Sequence, residues 1–187
     1  MFRAVLAVSV VAAIVGISPP HASAEAPACA KPPETLANFE TTAPPKPAPD
    51  TPFFVTEDSQ RTLADYAGKG VIVNFWATWC APCVREMPAL DRAHAALAAD
   101  GIDVLTISED RDAPRVAPKF FDKNGIVNLE PLFDRRGKFL RSLNVPGLPT
   151  TVVFDRSGQE IGRVIGIAEW DDPESIAFLK SCLGARG

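Results

Sequence analysis

Cys80 and Cys83 stand three residues apart in "WATWCAPCVREMP", Trp76 to Pro88, and are two of only four cysteines in 187 residues. Sulfurs at that spacing ligate a metal, staple a fold, or cycle between dithiol and disulfide. A zinc site built from all four cysteines needs a second close pair. The other two, Cys29 and Cys182, are 153 residues apart with no histidine at ligand spacing. No resident metal and no cofactor are therefore expected, and redox cycling is the chemistry to test against the surrounding sequence.

The flanking residues say how the pair is held. "VIVNFW", Val71 to Trp76, is an almost continuous apolar run rich in β-branched residues, the pattern of a strand buried on both faces. After the pair, Val84, Met87, Leu90, Ala93 and Leu97 recur at helical spacing, with Pro88 predicting a kink. Cys80 thus falls where a strand hands over to a helix. Free N–H groups and the positive end of the helix dipole gather there and favour a thiolate, making Cys80 the nucleophile. Cys83, one turn into the helix, is the deeper, resolving thiol. Pro82 stiffens the loop between them, and Trp76 and Trp79 are expected to shield the pair from water.

Nothing in the composition competes with this reading. Apolar residues make up 47% and charged residues 22%, enough for one globular core, and a formal net charge of -4 with scattered basic residues argues against nucleic acid as a partner. The first 24 residues differ: Arg3, then an apolar run from Ala4 to Ile17, Pro19 and Pro20, and Ala22-Ser23-Ala24. That is an export signal, either cleaved or kept as a membrane anchor. Residues 25–50 form a proline-rich extension; Pro27 to Pro52 carries 8 of the 18 prolines. Proline fixes the backbone and lacks a donor, so this segment is expected to be a tether or strap outside any sheet.

From residue 51 to 187 strand and helix signals alternate. Phe53 to Val55 reads as a strand, and Thr62 with Asp65 as a capping box opening a helix that Gly68 ends. "IDVLTIS" is a second buried strand, Ala113 to Asn124 a helix, Leu129 to Phe133 a short strand, and Arg136 to Leu143 a short helix. "PTTVVFDRSGQEIGRVIG" reads as an antiparallel hairpin turning at Ser157-Gly158, and Pro173 opens a last helix carrying Ile176, Leu179 and Leu183. The order predicts an α/β fold with a central mixed β-sheet flanked by helices. His94, Trp170 and Phe178 read as packing residues.

"NFWATWCAPC", the proline five residues beyond the second cysteine, and "VPGLPTTVVFD" together resemble the thioredoxin superfamily, most closely its exported TlpA and ResA branch. The resemblance spans about Thr51 to Gly184 and implies a thioredoxin-like fold with a central α/β insertion. It implies that Pro149 is cis and faces the active-site disulfide, with Leu148 offering backbone groups to a bound substrate segment; Trp79 and Pro82 would line the same place. Thioredoxin itself has a buried aspartate where this chain has Asn74, which cannot titrate. The ResA-like members resemble the chain here and place an acid in the insertion. Glu109 is the candidate proton relay, with Asp110 and Asp112 beside it, and a solvated acidic loop is the alternative reading of all three.

Cys29 and Cys182 remain. In an exported chain, leftover cysteines at the two ends suggest a structural disulfide fastening the extension to the last helix, and the TlpA proteins of α-proteobacteria resemble this arrangement.

The resemblance implies a monomeric periplasmic disulfide reductase. Its clients would be exported proteins with disulfides, assembly factors for haem or copper proteins such as cytochrome c or cytochrome oxidase, and a membrane donor of the DsbD/CcdA type would re-reduce it. The other class is a Cu(I) chaperone using Cys80 and Cys83 as soft ligands, though the chain has only two methionines.

Overall fold

The computed structural model describes Cys29 and residues 31–184. The leading segment expected to direct export lies outside them, and no helix among the described residues is long and apolar enough to cross a membrane.

The strands are β1 Phe39–Pro47, β2 Phe53–Phe54, β3 Gln60–Arg61, β4 Gly70–Trp76, β5 Ile102–Ser108, β6 Pro131–Phe133, β7 Thr150–Phe154 and β8 Gln159–Ile165. The helices are α1 Ala81–Leu97, α2 Ala113–Asn124, α3 Lys138–Ser142 and α4 Pro173–Leu183. The strands form one mixed sheet in the order β1-β8-β7-β4-β5-β6-β2-β3. β4 lies in its middle, parallel to β5 and antiparallel to β7. Every residue of β4 is buried, as its apolar run requires.

Alternation along β4 sorts two cores onto the two faces. Ile72 and Trp76 join Met87, Leu90 and Leu97 of α1, Phe121 of α2 and Leu179 of α4. Val71, Val73 and Phe75 turn the other way to meet Phe53, Phe139 and Phe154. Asn74 shares the parity of Ile72 and Trp76, so the one polar side chain of the central strand is delivered to the α1 face.

Three expectations need correction. The proline-rich extension is not a strap outside the sheet: its residues 39–47 form β1, paired antiparallel with β8. Prolines are tolerated because β1 is an edge, bonded on one side only, and its register shifts between Thr41 and Lys46 around Pro44 and Pro45. Phe39 packs edge-on to Phe178 at 5.3 Å and crosses β8 at Gly162, where any Cβ would overlap its ring. The sheet therefore begins well before residue 51. The second correction concerns α3, shorter than the expected Arg136–Leu143 because Arg136 and Gly137 both have left-handed backbone, at φ 63° and 62°. The capping box at Thr62 forms, its N–H meeting Asp65 Oδ2 at 2.7 Å, but it opens only a 3-10 turn, Leu63–Tyr66. α1 runs from Ala81 to Leu97 through Pro88 as one helix.

Candidate active site

β4 ends at Trp76, the chain turns through Ala77–Trp79, and Cys80 becomes the N-cap of α1. Its Sγ accepts the Cys83 N–H at 3.4 Å, one of the free donors of the first helical turn. Cys80 and Cys83 are disulfide-bonded with their Cα atoms 5.3 Å apart. Cys80 retains 6% exposure and Cys83 none, so an incoming molecule meets Cys80.

The approach loop is braced from β5. Asp110 accepts from Thr78 N at 2.9 Å, Thr78 Oγ at 2.7 Å and Ser108 Oγ at 2.9 Å. With three donors on its carboxylate, Asp110 anchors the turn that presents Cys80. Trp76 is fully buried against Phe120 and Phe121. Trp79 is 70% exposed, too little packed to roof the pair as expected, and offers its ring to a partner instead.

β7 brings the second part of the site. Thr150 pairs with Phe75, so the preceding Leu148 and Pro149 arrive level with Trp76, at the end of β4 from which the chain runs to Cys80. The Leu148–Pro149 bond is cis. Leu148 packs against the core cluster that contains both cysteines, and the Pro149 carbonyl accepts from Gly166 N at 2.9 Å.

Glu109 does not join this assembly. Its N–H bonds Trp76 O at 2.8 Å, but its carboxyl lies toward Gly137, near Arg141 and Asp134. Among the described residues no hydrogen bond links it to Asn74 or to either cysteine. Burial, with the Asp134 charge adding to it, pushes its pKa up to about 8. The reason for its placement is topological: Glu109 follows the last residue of β5 and is directed to the β6–α3 connection. Asp112, at the start of α2, is exposed and paired with Arg115.

The carboxyl that meets Asn74 is instead Glu86, which the sequence reading passed over. It lies three residues beyond Cys83 on α1, and residues so spaced are helical neighbours. Glu86 is only 5% exposed. Its Oε1 accepts from Asn74 Nδ2 at 3.0 Å and its Oε2 from Trp170 Nε1 at 3.0 Å. Burial pushes its pKa up to about 7, although Trp170, Asn74 and the Ala168 N–H oppose the shift. Asn74 Nδ2 also donates to Thr151 Oγ at 2.9 Å, leaving Oδ1 buried without a partner. Rotating that amide by half a turn would present Oδ1 to a protonated Glu86, so Asn74 can partner either charge state. The signal available in the sequence was an acid within the otherwise apolar Cys83, Met87, Leu90 stripe.

Linkage gives a test. A carboxyl whose folded pKa lies above its unfolded value holds its proton more tightly when folded. Its stabilisation is complete below about pH 4.5 and is lost as pH rises through about 7. The size is about 3 kcal/mol. Glu109 acts in the same direction up to about pH 8. In urea melts of the oxidised protein, Glu86→Gln should gain on wild type by about 2 to 3 kcal/mol between about pH 5 and pH 8. A constant offset can come from altered hydrogen bonding, so the slope is the readout, and parallel profiles would refute the buried acid.

His94 is a packing residue, its Nδ1 accepting from Val104 N at 3.1 Å and tying α1 to β5.

A thioredoxin-like fold carrying a Cys-x-x-Cys pair at a strand-to-helix junction defines a thiol-disulfide oxidoreductase. The chain matches the AhpC/TSA family over residues 44–159 and belongs to it. It is similar to the thiol-disulfide oxidoreductase ResA of Geobacillus kaustophilus, 32% identical over 127 residues, which is 68% of this chain and 72% of that protein. ResA of Geobacillus thermodenitrificans is 35% identical over 125 residues, 67% and 71% of the two chains. Among solved structures, a thiol:disulfide interchange protein DsbE of Chlorobium tepidum superposes with TM-score 0.60 at 27% identity, over 72% of this chain and 96% of that one. A DsbF homologue from Corynebacterium diphtheriae gives 0.64 at 27%, over 77% and 92%. This enzyme is thus a thiol-disulfide oxidoreductase of the ResA and DsbE type.

Proposed function

We propose that the protein is a periplasmic disulfide reductase acting on exported client proteins, among them assembly factors for cytochrome c or for the copper centre of cytochrome oxidase. The observation that carries the reading is the pairing of an accessible Cys80 with a sealed Cys83 that has a buried Glu86 three residues along the same helix. Cys80 thiolate attacks one sulfur of a client disulfide, and the other client sulfur leaves as a thiolate and is protonated. Cys83 then loses its proton and attacks Cys80 Sγ, closing the internal disulfide and releasing the second client thiol. Glu86, with a pKa near working pH, takes the Cys83 proton, and Asn74 adjusts to the change in charge. The client segment lies against Trp79 and Leu148, with Pro82 and Pro149 holding the rims.

The charges support the reducing direction. Strong oxidants of this class are oxidising because their reduced, thiolate form is stabilised. Here Ala81 and Pro82 between the cysteines carry no charge, and the buried ionisable groups on the same helix and bonded to the approach loop, among them Glu86 and Asp110, are acids. The dithiol is correspondingly less favoured, and a membrane donor of the DsbD/CcdA type is needed to restore it.

The test uses the reduced exported-length protein in a turbidity assay of insulin disulfide reduction, with dithiothreitol as electron source, beside Cu(I) titration against a competing chelator. Catalysis above the dithiothreitol background with Cu(I) held no more tightly than by a simple dithiol is the expected result. Tight Cu(I) binding without catalysis would replace the reductase with the chaperone reading.

A further inference from the structure

The N-terminal extension reaches the active site at one remove, through a single turn. Asn38, just before β1, donates from Nδ2 to two carbonyls at once, Ile165 O at 3.0 Å and Ile167 O at 3.1 Å. Those carbonyls flank Gly166, whose left-handed backbone at φ 96° makes the turn at the end of β8. Gly166 N in turn donates to Pro149 O. Three residues before Asn38, the Thr35 carbonyl accepts from Glu169 N at 3.2 Å, and Thr35 Oγ meets the buried Ser175 Oγ at 2.8 Å. The segment so gripped, residues 165–170, carries Trp170, whose indole N–H lies on Glu86. It also supplies Ile167, Ala168 and Glu169 to a cavity of about 440 Å³ whose opposite wall is Arg85, Glu86 and Ala89 of α1.

We propose that Asn38 is a positioning residue for client recognition, fixing the Ile165–Ile167 turn that holds the Pro149 carbonyl and forms one wall of the cavity beside Glu86. Ile165 and Ile167 are exposed large apolar residues of the described surface, together with Trp79 and Val127, and the turn decides where the two isoleucines point. A minimal fold lacking the extension would leave both carbonyls of the turn to water. The extension, fastened at Cys29 and anchored by Leu36, is thereby part of the substrate-binding apparatus. This rests on the reductase reading above, because it concerns how a protein client is seated.

Asn38 is exposed, so truncating it opens no core cavity. The experiment compares wild type, Asn38→Ala and Thr42→Val in two reactions, reduction of insulin and reduction of bis(hydroxyethyl) disulfide, a small disulfide that needs Cys80 but no client seat. Thr42 donates to Glu160 Oε1 from the same strand, away from the Gly166 turn, and so reports general weakening of β1. Asn38→Ala should lower kcat/KM for insulin about fivefold, the equivalent of one hydrogen bond, while the small-disulfide rate changes less than about twofold. Thr42→Val should leave the ratio of the two rates where wild type has it. Equal losses in both reactions, no loss in either, or the same ratio change in Thr42→Val would each overturn the proposal. A wild-type protein that reduces the small disulfide but not insulin removes the reductase reading and the proposal together, whereas an active wild type matched by Asn38→Ala removes only the proposal.

Discussion

Cys83→Ser captures client proteins as mixed disulfides through Cys80, and Cys80→Ser captures none. This follows from the unequal access of the two sulfurs: Cys80 lies at the open end of α1 and accepts a helix-terminal N–H, while Cys83 is sealed beneath it. Deleting the resolving thiol stops the reaction after the first exchange, so the covalent complex accumulates. Deleting the nucleophile leaves a thiol that no folded client can reach. Turnover falls to the uncatalysed level in both variants, but only one leaves a trail on a non-reducing gel. The check is affinity purification of each variant from an oxidising compartment, followed by reduction and identification of the released proteins. Equal capture by both variants would show that Cys83 is accessible and would reverse or abolish the assigned roles.

Opening the second disulfide should cost more stability than any other single covalent change. Cys29 and Cys182 are joined with Cα atoms 5.2 Å apart, closing a loop across 153 residues. Chain entropy assigns such a closure about 5 kcal/mol. For a domain of this size that corresponds to a fall in Tm of about 10 to 20 °C. The bond also pins the extension whose Leu36 and Phe39 are buried against α4, so those contacts fray with it. The Cys29→Ala, Cys182→Ala double variant should show this loss by calorimetry while still cycling Cys80 and Cys83. Mild reductant on the wild type should open Cys80–Cys83 first, because Cys80 caps the N-terminus of α1, where its departing thiolate is stabilised. A double variant melting within about 2 °C of wild type would mean that the sheet holds the extension unaided.

Local signals carried much of the fold into the sequence. The β-branched run of β4, the turn at Ser157-Gly158 and Pro173 at the start of α4 each sit within a few residues of what they specify. The junction that makes Cys80 an N-cap was readable for the same reason. β1 was not, because three prolines in Phe39–Pro47 argue against a strand unless the strand is an edge with a register shift, and edge position is decided by β8, more than a hundred residues away. Left-handed backbone at Arg136 was equally hidden, since nothing but the surrounding packing imposes it on a non-glycine residue. Glu86 shows the same limit at the site. Its proton affinity is raised by burial and held back by Trp170 and Asn74, respectively 84 and 12 residues distant in the chain, and its place on an apolar helical stripe became meaningful only when the fold closed around it. Glu109 carried the acidic signal in the sequence but is led elsewhere by the end of β5.

The reduction potential of the Cys80–Cys83 pair, measured at pH 7 by equilibration with glutathione and trapping of the thiols, bears most directly on the reductase reading. Uncharged residues between the cysteines and a buried acid three residues along the same helix predict a reducing couple at about -230 mV or lower, toward the thioredoxin range near about -270 mV. A value above about -150 mV, approaching the about -120 mV of a dedicated oxidant, would contradict it.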